Sequence, residues 1–287
     1  MSRIVCAGHV NWDVLFRVDT LPEPDGEASV ESRAASGGGS ASNVARGLVE
    51  LDEEASLLGS VGDDDHGRTA REELASAGVD CEHVVTVPDG ETATKYIVVE
   101  PSGEVMVLGC AGANEAFDAD DLPPTALERA DHLHLTSQRP ETATELARRA
   151  QDAGLTVSFD PGRRIGERAY STAISTVDYL FLNDREAALA LDAFELADQT
   201  LVLKHGPDGA EVRHDDDRTA HPGYPIDAVD TTGAGDAFAA GFLSALTDGA
   251  DFERALAVAN ACGAILSSCP GSQGSLSREK VRSFLGD

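Results

Sequence analysis

Residues Val229 to Phe238 read VDTTGAGDAF, and the apolar run AAGFLSAL follows directly to Leu246. This reading predicts a strand ending near Asp230, a Gly-Ala-Gly turn, and a long buried helix. Gly233 and Gly235 let the backbone turn tightly and keep side chains out of a ligand's way. The amides of the first helical turn are then free to face negative charge. Asp236 falls in that turn, where a carboxylate can take a proton from a hydroxyl while the amides hold a phosphoryl group. Taken alone, GAGD reads more readily as an ordinary capping aspartate after a glycine turn.

Upstream, strand-like runs alternate with helical ones. Arg3 to Gly8, Ala55 to Val61, His132 to Thr136, Thr156 to Asp160, Tyr179 to Leu182 and Leu201 to His205 are short apolar runs. Segments with helical periodicity, such as Ser42 to Leu51 and Glu141 to Ala153, separate them. That rhythm predicts an α/β fold with a mostly parallel sheet covered by helices on both faces. Two stretches, residues 14–33 and 91–110, carry β-type alternation without a helix between strands. They are expected to pair into a small sheet that lies over a substrate and excludes water, as segments inserted in a single domain of residues 1–287.

Fifty-one acidic residues face 22 basic ones, for a net charge of −29, and the only lysines are Lys95, Lys204 and Lys280. So acidic a surface repels phosphate backbones and argues against nucleic acid as a partner. It reads as salt adaptation, in which high ionic strength screens the self-repulsion. No run approaches the roughly eighteen apolar residues of a membrane span. The N-terminus lacks the pattern of a signal peptide, so a cytoplasmic protein is expected. Five cysteines without CxxC or zinc spacing suit reduced core thiols. Asp63 to Asp65 and Asp215 to Asp217 read as solvated loops, and His132 and His134 as packed strand residues rather than metal ligands. The chain has no GxxxxGK[ST] and no GxGxxG after its first strand, which argues against P-loop and dinucleotide-binding folds.

The full run DTTGAGDAF resembles the signature of the ribokinase-like (PfkB) carbohydrate kinases residue for residue. The resemblance extends nearly from end to end. Gly38-Gly39-Ser40-Ala41-Ser42-Asn43-Val44-Ala45 is similar to the family's GGxxxNxA element, Gly8 to Asp13 (GHVNWD) to the end of its first strand, and Gly112-Ala113-Asn114 to its GAN. Asn183-Asp184-Arg185-Glu186 is similar to NxxE, and Gly206 and Gly209 to the loop written TLGxxG. The resemblance implies a three-layer sandwich with a small β-sheet lid and an ATP-dependent kinase acting on a sugar hydroxyl. In that reading Asp236 is the base, and the amides of Gly233, Ala234 and Gly235 form the anion hole. Asn11, Asp13, Gly38, Gly39, Asn43, Gln138 and Lys95 fall on the acceptor. Asn183, Glu186, Lys204, Gly206, Gly209 and Asn260 fall on the nucleotide.

Asn183 and Glu186 are further implied to place Mg2+ through water. Asp230, Thr232, Gly271 and Ser275 are implied to hold K+, and the lid to form a homodimer. Lys204 and His205 stand where the family commonly has Thr and Leu, Gln138 where many members have Glu, and Ser40 where ribokinases have Lys. These departures leave the acceptor open between a sugar and a nucleoside. The latter needs an apolar wall that Trp12, Phe16 and Tyr96 would supply if they are not lid core. A non-catalytic sugar- or nucleotide-sensing protein on the same fold is the remaining alternative, and an intact Asp236 and glycine turn argue against it.

Overall fold

The structure, a computed structural model, describes residues 3–194, 196, 198–269 and 274–287. In chain order these form β1 (Arg3–Ala7), β2 (Asn11–Val18), β3 (Val30–Gly38), α1 (Ser40–Glu50), β4 (Glu54–Gly62), α2 (Asp65–Ser76), β5 (Val84–Val87), β6 (Thr94–Val99) and β7 (Val105–Cys110). There follow α3 (Pro124–Leu127), β8 (His132–Thr136), α4 (Pro140–Asp152), β9 (Thr156–Asp160), α5 (Ser171–Ile174), β10 (Tyr179–Asn183), α6 (Asp184–Ala193) and β11 (Thr200–Lys204). The chain closes with β12 (Ala210–His214), β13 (Asp217–His221), α7 (Ala234–Thr247), α8 (Phe252–Ser267) and α9 (Arg278–Leu285).

The large sheet runs β13-β12-β11-β10-β9-β8-β1-β4-β5, parallel except for β12 and β13. Strand alternation divides its core into two layers. In β1, Ile4 and Cys6 pack with α1, α7 and α8, while Val5 and Ala7 pack with α4 and α5. The chain leaves β1 toward β4 on one side and β8 on the other. This is the topological switch at which ligands settle beyond the carboxyl ends of parallel strands.

The second sheet has the order β3-β2-β6-β7, as the alternation in residues 14–33 and 91–110 predicts. Its strands reach further than expected. β2 begins at Asn11 and β3 continues to Gly38, so Asn11 and Asp13 belong to the lid rather than to the end of the first strand. Trp12 is stacked on His66 with ring centroids 5.3 Å apart, and Phe16 on Tyr96 at 6.5 Å. Both pairs occupy the sheet face opposite Asp13 and Leu15, so these rings are lid packing. No strand precedes the glycine turn: residues 222–233 are irregular, and the amides of Val229 and Asp230 donate to the Ser267 carbonyl of α8. Val229 is half exposed, and a single apolar residue does not specify a strand.

Other expectations change in detail. Asp64 is not a solvated loop residue. It caps α2, accepting from Gly67 N at 2.9 Å, and also takes Thr92 N at 2.9 Å and Thr92 Oγ1 at 2.5 Å, so it pins the base of the lid. Cys6, Cys81 and Cys262 are buried, whereas Cys110 is exposed on β7. His132 and His134 are buried and share Ser158 Oγ at 2.7 Å each. Among the described residues no group of three or more His, Cys, Asp or Glu is arranged to hold a metal ion.

Helices α1 and α7 approach closely because Gly47 has no side chain: a Cβ there would lie 2.9 Å from the Ala240 Cβ. Gly47→Val is expected to wedge them apart and cost about 1–3 kcal/mol of stability, the usual range for overpacking, with a loss of turnover as Asn43 moves. Urea unfolding with an unchanged midpoint would contradict this packing account.

Candidate functional site

The ends of β1, β8, β9, β10 and β11 bring together residues that are remote in sequence. Gly8 carries the chain out of β1, passing so near Thr136 that a Cβ would lie 2.0 Å from its hydroxyl. Gly38 and Gly39 end β3 and start α1. At Gly38 a Cβ would stand 2.2 Å from Asp13 Oδ2, and Gly39 has φ 103° with its Cβ position 2.4 Å from the His9 carbonyl. The position of Gly39 therefore requires glycine, and a side chain at Gly38 would displace the Asp13 carboxylate. Ser42 Oγ donates to the Gly38 and Gly39 carbonyls at 2.6 and 2.8 Å, which fixes the entry to α1.

Asn43 then lies in the first turn of α1 and donates its Nδ2 to Asp236 Oδ2 at 2.7 Å, across 193 residues of chain. Asp236 lies in the first turn of α7, after Gly233 in the left-handed region at φ 76°. Burial pushes its carboxyl up; the Asn43 bond opposes this, Asp160 adds to it, and Lys204 and Lys95 oppose it, leaving a value of about 6. A carboxylate poised there is charged at neutral pH yet basic enough to take a hydroxyl proton. Of the expected amide donors, Ala234 N donates to the Thr231 carbonyl at 3.1 Å and is already used. This corrects its place in the anion hole, which falls to the neighbouring amides at the start of α7.

Beside this pair lies a cavity of about 140 Å³ lined by Asp13, Leu15, Asn43, Arg46, Ile97 and Thr232, among others. Asp13, which lines it, has a buried oxygen without a partner, Oδ1. Asn11 Nδ2, two residues earlier on β2, Asn114 Oδ1, on the side chain bonded to Asn11, and Gln138 Oε1, just beyond β8, are likewise unpaired and make up a polar cradle. Asn114 Nδ2 donates to Asn11 Oδ1 at 2.6 Å, and Gln138 Nε2 makes only a long 3.5 Å contact to the Ala7 carbonyl. Unpaired buried polar atoms cost about 1–3 kcal/mol each, and four in one place mark a site built for a polar ligand. One donor and three acceptors suit hydroxyl groups, which do both. Burial raises the Asp13 carboxyl, and the Lys95 charge partly offsets this.

On the other side, Lys204 at the end of β11 donates to Asp160 Oδ2 at 2.5 Å. Burial works against the Lys204 ammonium, but Asp160, together with Glu186 and Asp236, more than offsets it, and the net shift is upward. Asn183 and Glu186 form a reciprocal cap on α6, with Glu186 N donating to Asn183 Oδ1 and Asn183 N to Glu186 Oε2, each at 2.9 Å. Burial, then the nearby Asp160 charge, raises Glu186. Gly206 and Gly209 bracket a short turn after β11, both at positive φ. Asn260 donates one amide hydrogen to the Leu256 carbonyl of its own helix at 2.8 Å, which leaves its second hydrogen and its Oδ1.

Of the four expected K+ ligands, Asp230 and Thr232 line the cavity, and Gly271 lies outside the described residues. Ser275 accepts from Lys280 Nζ at 2.8 Å on both its carbonyl and its hydroxyl oxygen. An ammonium thus stands at Ser275, where a further cation would be repelled.

Three contributors were not anticipated from sequence. Asp160 ends a buried strand, TVSFD, and a charged residue at the carboxyl end of a parallel strand is itself a signal. Asn114 lies in the GAN run without an assigned role. Arg168 donates to both Glu115 oxygens at 2.8 and 3.1 Å and to the Gln138 carbonyl at 2.6 Å, while His9 meets Glu115 at 2.9 Å. Nothing local in the sequence announces that network.

Comparison with known proteins agrees with this geometry. The profile of the family described as "pfkB family carbohydrate kinase" matches residues 1–279. An ATP-dependent ribose-1-phosphate kinase from Halopiger xanaduensis is 54% identical, over 100% of this chain and 99% of its own length. A nucleoside kinase from Methanothermobacter thermautotrophicus is 29% identical over 94% of this chain and 91% of its own. Among solved structures, the ribokinase of Thermotoga maritima superposes with a TM-score of 0.89 at 24% identity, covering 100% of both chains.

Asp236→Asn is expected to lower kcat by about two to four orders of magnitude, the loss typical of a missing base. It is also expected to stabilise the fold at alkaline pH. The folded carboxyl titrates near 6 rather than 3.8, so ionising it costs nothing below the lower value and most above the upper. The gain is therefore at most about 2–3 kcal/mol, visible as a higher thermal midpoint above pH 6 and absent at pH 4. In the unmodified enzyme kcat/KM is expected to rise through about pH 6. Asn43→Ala is expected to move that limb to higher pH, because the bond that favours the charged form is gone. A limb unmoved by Asn43→Ala would dissociate Asp236 from the pH dependence.

Proposed function

Because the chain belongs to the pfkB family of carbohydrate kinases, we propose that its acceptor is a phosphorylated pentose of the ribose 1-phosphate type. The chain is an ATP-dependent phosphotransferase that acts on a hydroxyl of a sugar or nucleoside. The observation that carries the sugar reading is the cradle of unpaired buried atoms on Asn11, Asp13, Asn114 and Gln138, which matches the donors and acceptors of a pentose. A nucleoside needs an apolar wall for its base. The candidate rings, Trp12, Phe16 and Tyr96, are turned into lid packing; the cavity's apolar lining is aliphatic, and among the described residues it has no aromatic ring on which a base could stack. The 54% identity to a kinase that bears ribose 1-phosphate in its name points the same way.

In the proposed reaction the acceptor lies between the cradle and Asn43, under the lid, against Gly38 and Gly39. Asp236 takes the hydroxyl proton as that oxygen attacks the γ-phosphorus. A new O–P bond forms, the bond from the γ-phosphorus to the β–γ bridging oxygen breaks, and ADP leaves. The free amides at the start of α7 receive the charge of the transferring group. The nucleotide occupies the side of Lys204, Gly206, Gly209 and Asn183, where Lys204 holds a buried positive charge within the field of Asp236.

Burial and the Asp160 charge raise the Glu186 carboxyl, and a pair of neighbouring carboxyl groups suits a divalent cation. Mg2+ held there through water with Asn183 would neutralise phosphate charge. Potassium is the part of the reading that the Lys280–Ser275 contact opposes, and the mechanism stands without it. The exposed apolar edge Val105–Leu108 of β7 is the surface proposed for pairing with a second copy through the lid.

The test is ATP turnover on a panel of ribose, ribose 1-phosphate, fructose, adenosine, guanosine and cytidine, in dilute and in molar sodium and potassium chloride. Ribose 1-phosphate is expected to give the highest kcat/KM, and the acidic surface to give higher rates in concentrated salt of either cation. A nucleoside as the best acceptor would overturn the proposal.

A further inference from the structure

We infer that Lys95 is the residue that selects a phosphorylated acceptor, its ammonium meeting the sugar's phosphate group beneath the lid. The inference deepens the acceptor reading above and rests on it. Cations around the acceptor cradle are few, and nearly all are committed to fixed anions. Arg46 on α1, which lines the cavity, is tied through Nε to Glu50 Oε1 at 3.1 Å, and Glu50 is itself held by the Leu276 amide at 2.7 Å. The Arg46 charge is balanced there, although its terminal nitrogens make no hydrogen bond among the described residues. Arg168 is clamped on Glu115, His9 meets the same carboxylate, and Lys204 is bonded to Asp160.

Lys95 differs. It lies directly opposite Asp13 in the parallel pairing of β2 with β6, so its side chain shares the face that carries Asp13, Leu15 and Ile97 into the cavity. It makes no hydrogen bond and no ion pair within 4 Å among the described residues, not even with Asp13. Its register beside Asp13 puts it on the lid face that covers the acceptor side, and its charge bears on both Asp13 and Asp236. A protein with 51 acidic residues and three lysines thus keeps an unpaired ammonium on the strand beside Asp13.

Chemistry explains why an anion belongs there. Asp13 has an unpaired, buried oxygen and repels a phosphate, so a cation beside it is needed before a doubly charged group can enter. Gln138 fits the same requirement. It is fully buried, its Oε1 is unpaired, and it is neutral where a carboxylate would add a further repulsion. A neutral sugar or a nucleoside brings no charge for Lys95 to meet, which leaves it only its balance of the Asp13 and Asp236 carboxylates. An ammonium on a flexible stem acts as a point charge and tolerates the movement of a closing lid.

The experiment measures binding by calorimetry to the full chain and to Lys95→Gln and Lys95→Arg, with the nucleotide site filled by a non-hydrolysable ATP analogue and ionic strength held constant. The probes are ribose 1-phosphate, ribose and inorganic phosphate. Loss of a charge-assisted contact is expected to weaken ribose 1-phosphate about 10- to 100-fold in Lys95→Gln, to leave ribose within twofold, and to be largely restored by Lys95→Arg. Equal weakening of ribose and ribose 1-phosphate would show a lid-shape role and overturn the inference, as would unchanged binding of both. If the wild-type chain fails to phosphorylate ribose 1-phosphate, the acceptor reading falls by itself. Inorganic phosphate then decides the subsite: weaker binding to Lys95→Gln upholds it, and equal binding to the two proteins removes it.

Discussion

The hydrogen bond from Asn43 to Asp236 is the contact on which the site depends. It joins the first turn of α1 to the first turn of α7 across 193 residues of chain, and both helices must end at the same point above the sheet for it to form. Gly47 lets them approach, Gly39 gives α1 its entry, and Gly233 gives α7 its own. The bond also has an electronic role. Without it, burial alone would drive the Asp236 carboxyl further up and leave it a poorer anion at neutral pH. A single amide thus sets both the position and the basicity of the proposed base.

Charge is arranged in opposite senses on the two sides of that base. Toward the nucleotide, Asp160, Glu186 and Lys204 form a buried network whose members hold one another. A network of this kind loses much of its value if one partner is removed, because an uncompensated buried charge remains. Toward the acceptor, the cradle is polar and incompletely satisfied. Its unpaired atoms cost stability in the free protein, and a ligand that satisfies them recovers that cost on binding. The lid brings Asp13, Asn11 and Lys95 to this side, so closure and recognition use the same strands.

Much of the molecule was legible in the order of residues. The continuous apolar runs of β1, β8, β9, β10 and β11 appear in the sequence because both faces of a parallel strand must be covered. DTTGAGDAF announced its turn and helix because local backbone geometry demands glycine there, and its match to a family signature carried the reading to activity. The strand predicted before the turn is absent because residues 222–233 have no neighbouring strand with which to pair. Pairing is not a local property.

What the sequence by itself determined was therefore the local and periodic part: the alternating strands and helices, the glycine positions, the lid segments, and the identity of Asp236, Asn43, Asp13 and Asn11 as candidates. Tertiary structure alone decided which of these meet. Only the fold shows that Asn43 touches Asp236, that Lys204 is bound to Asp160, that Ala234, Asn260 and Ser275 are already engaged, and that Trp12 faces away from the cavity. The physical reason is that a residue's propensity is written in its own backbone and near neighbours, whereas hydrogen-bond partners and shifted ionisation depend on groups that the chain brings back from far away.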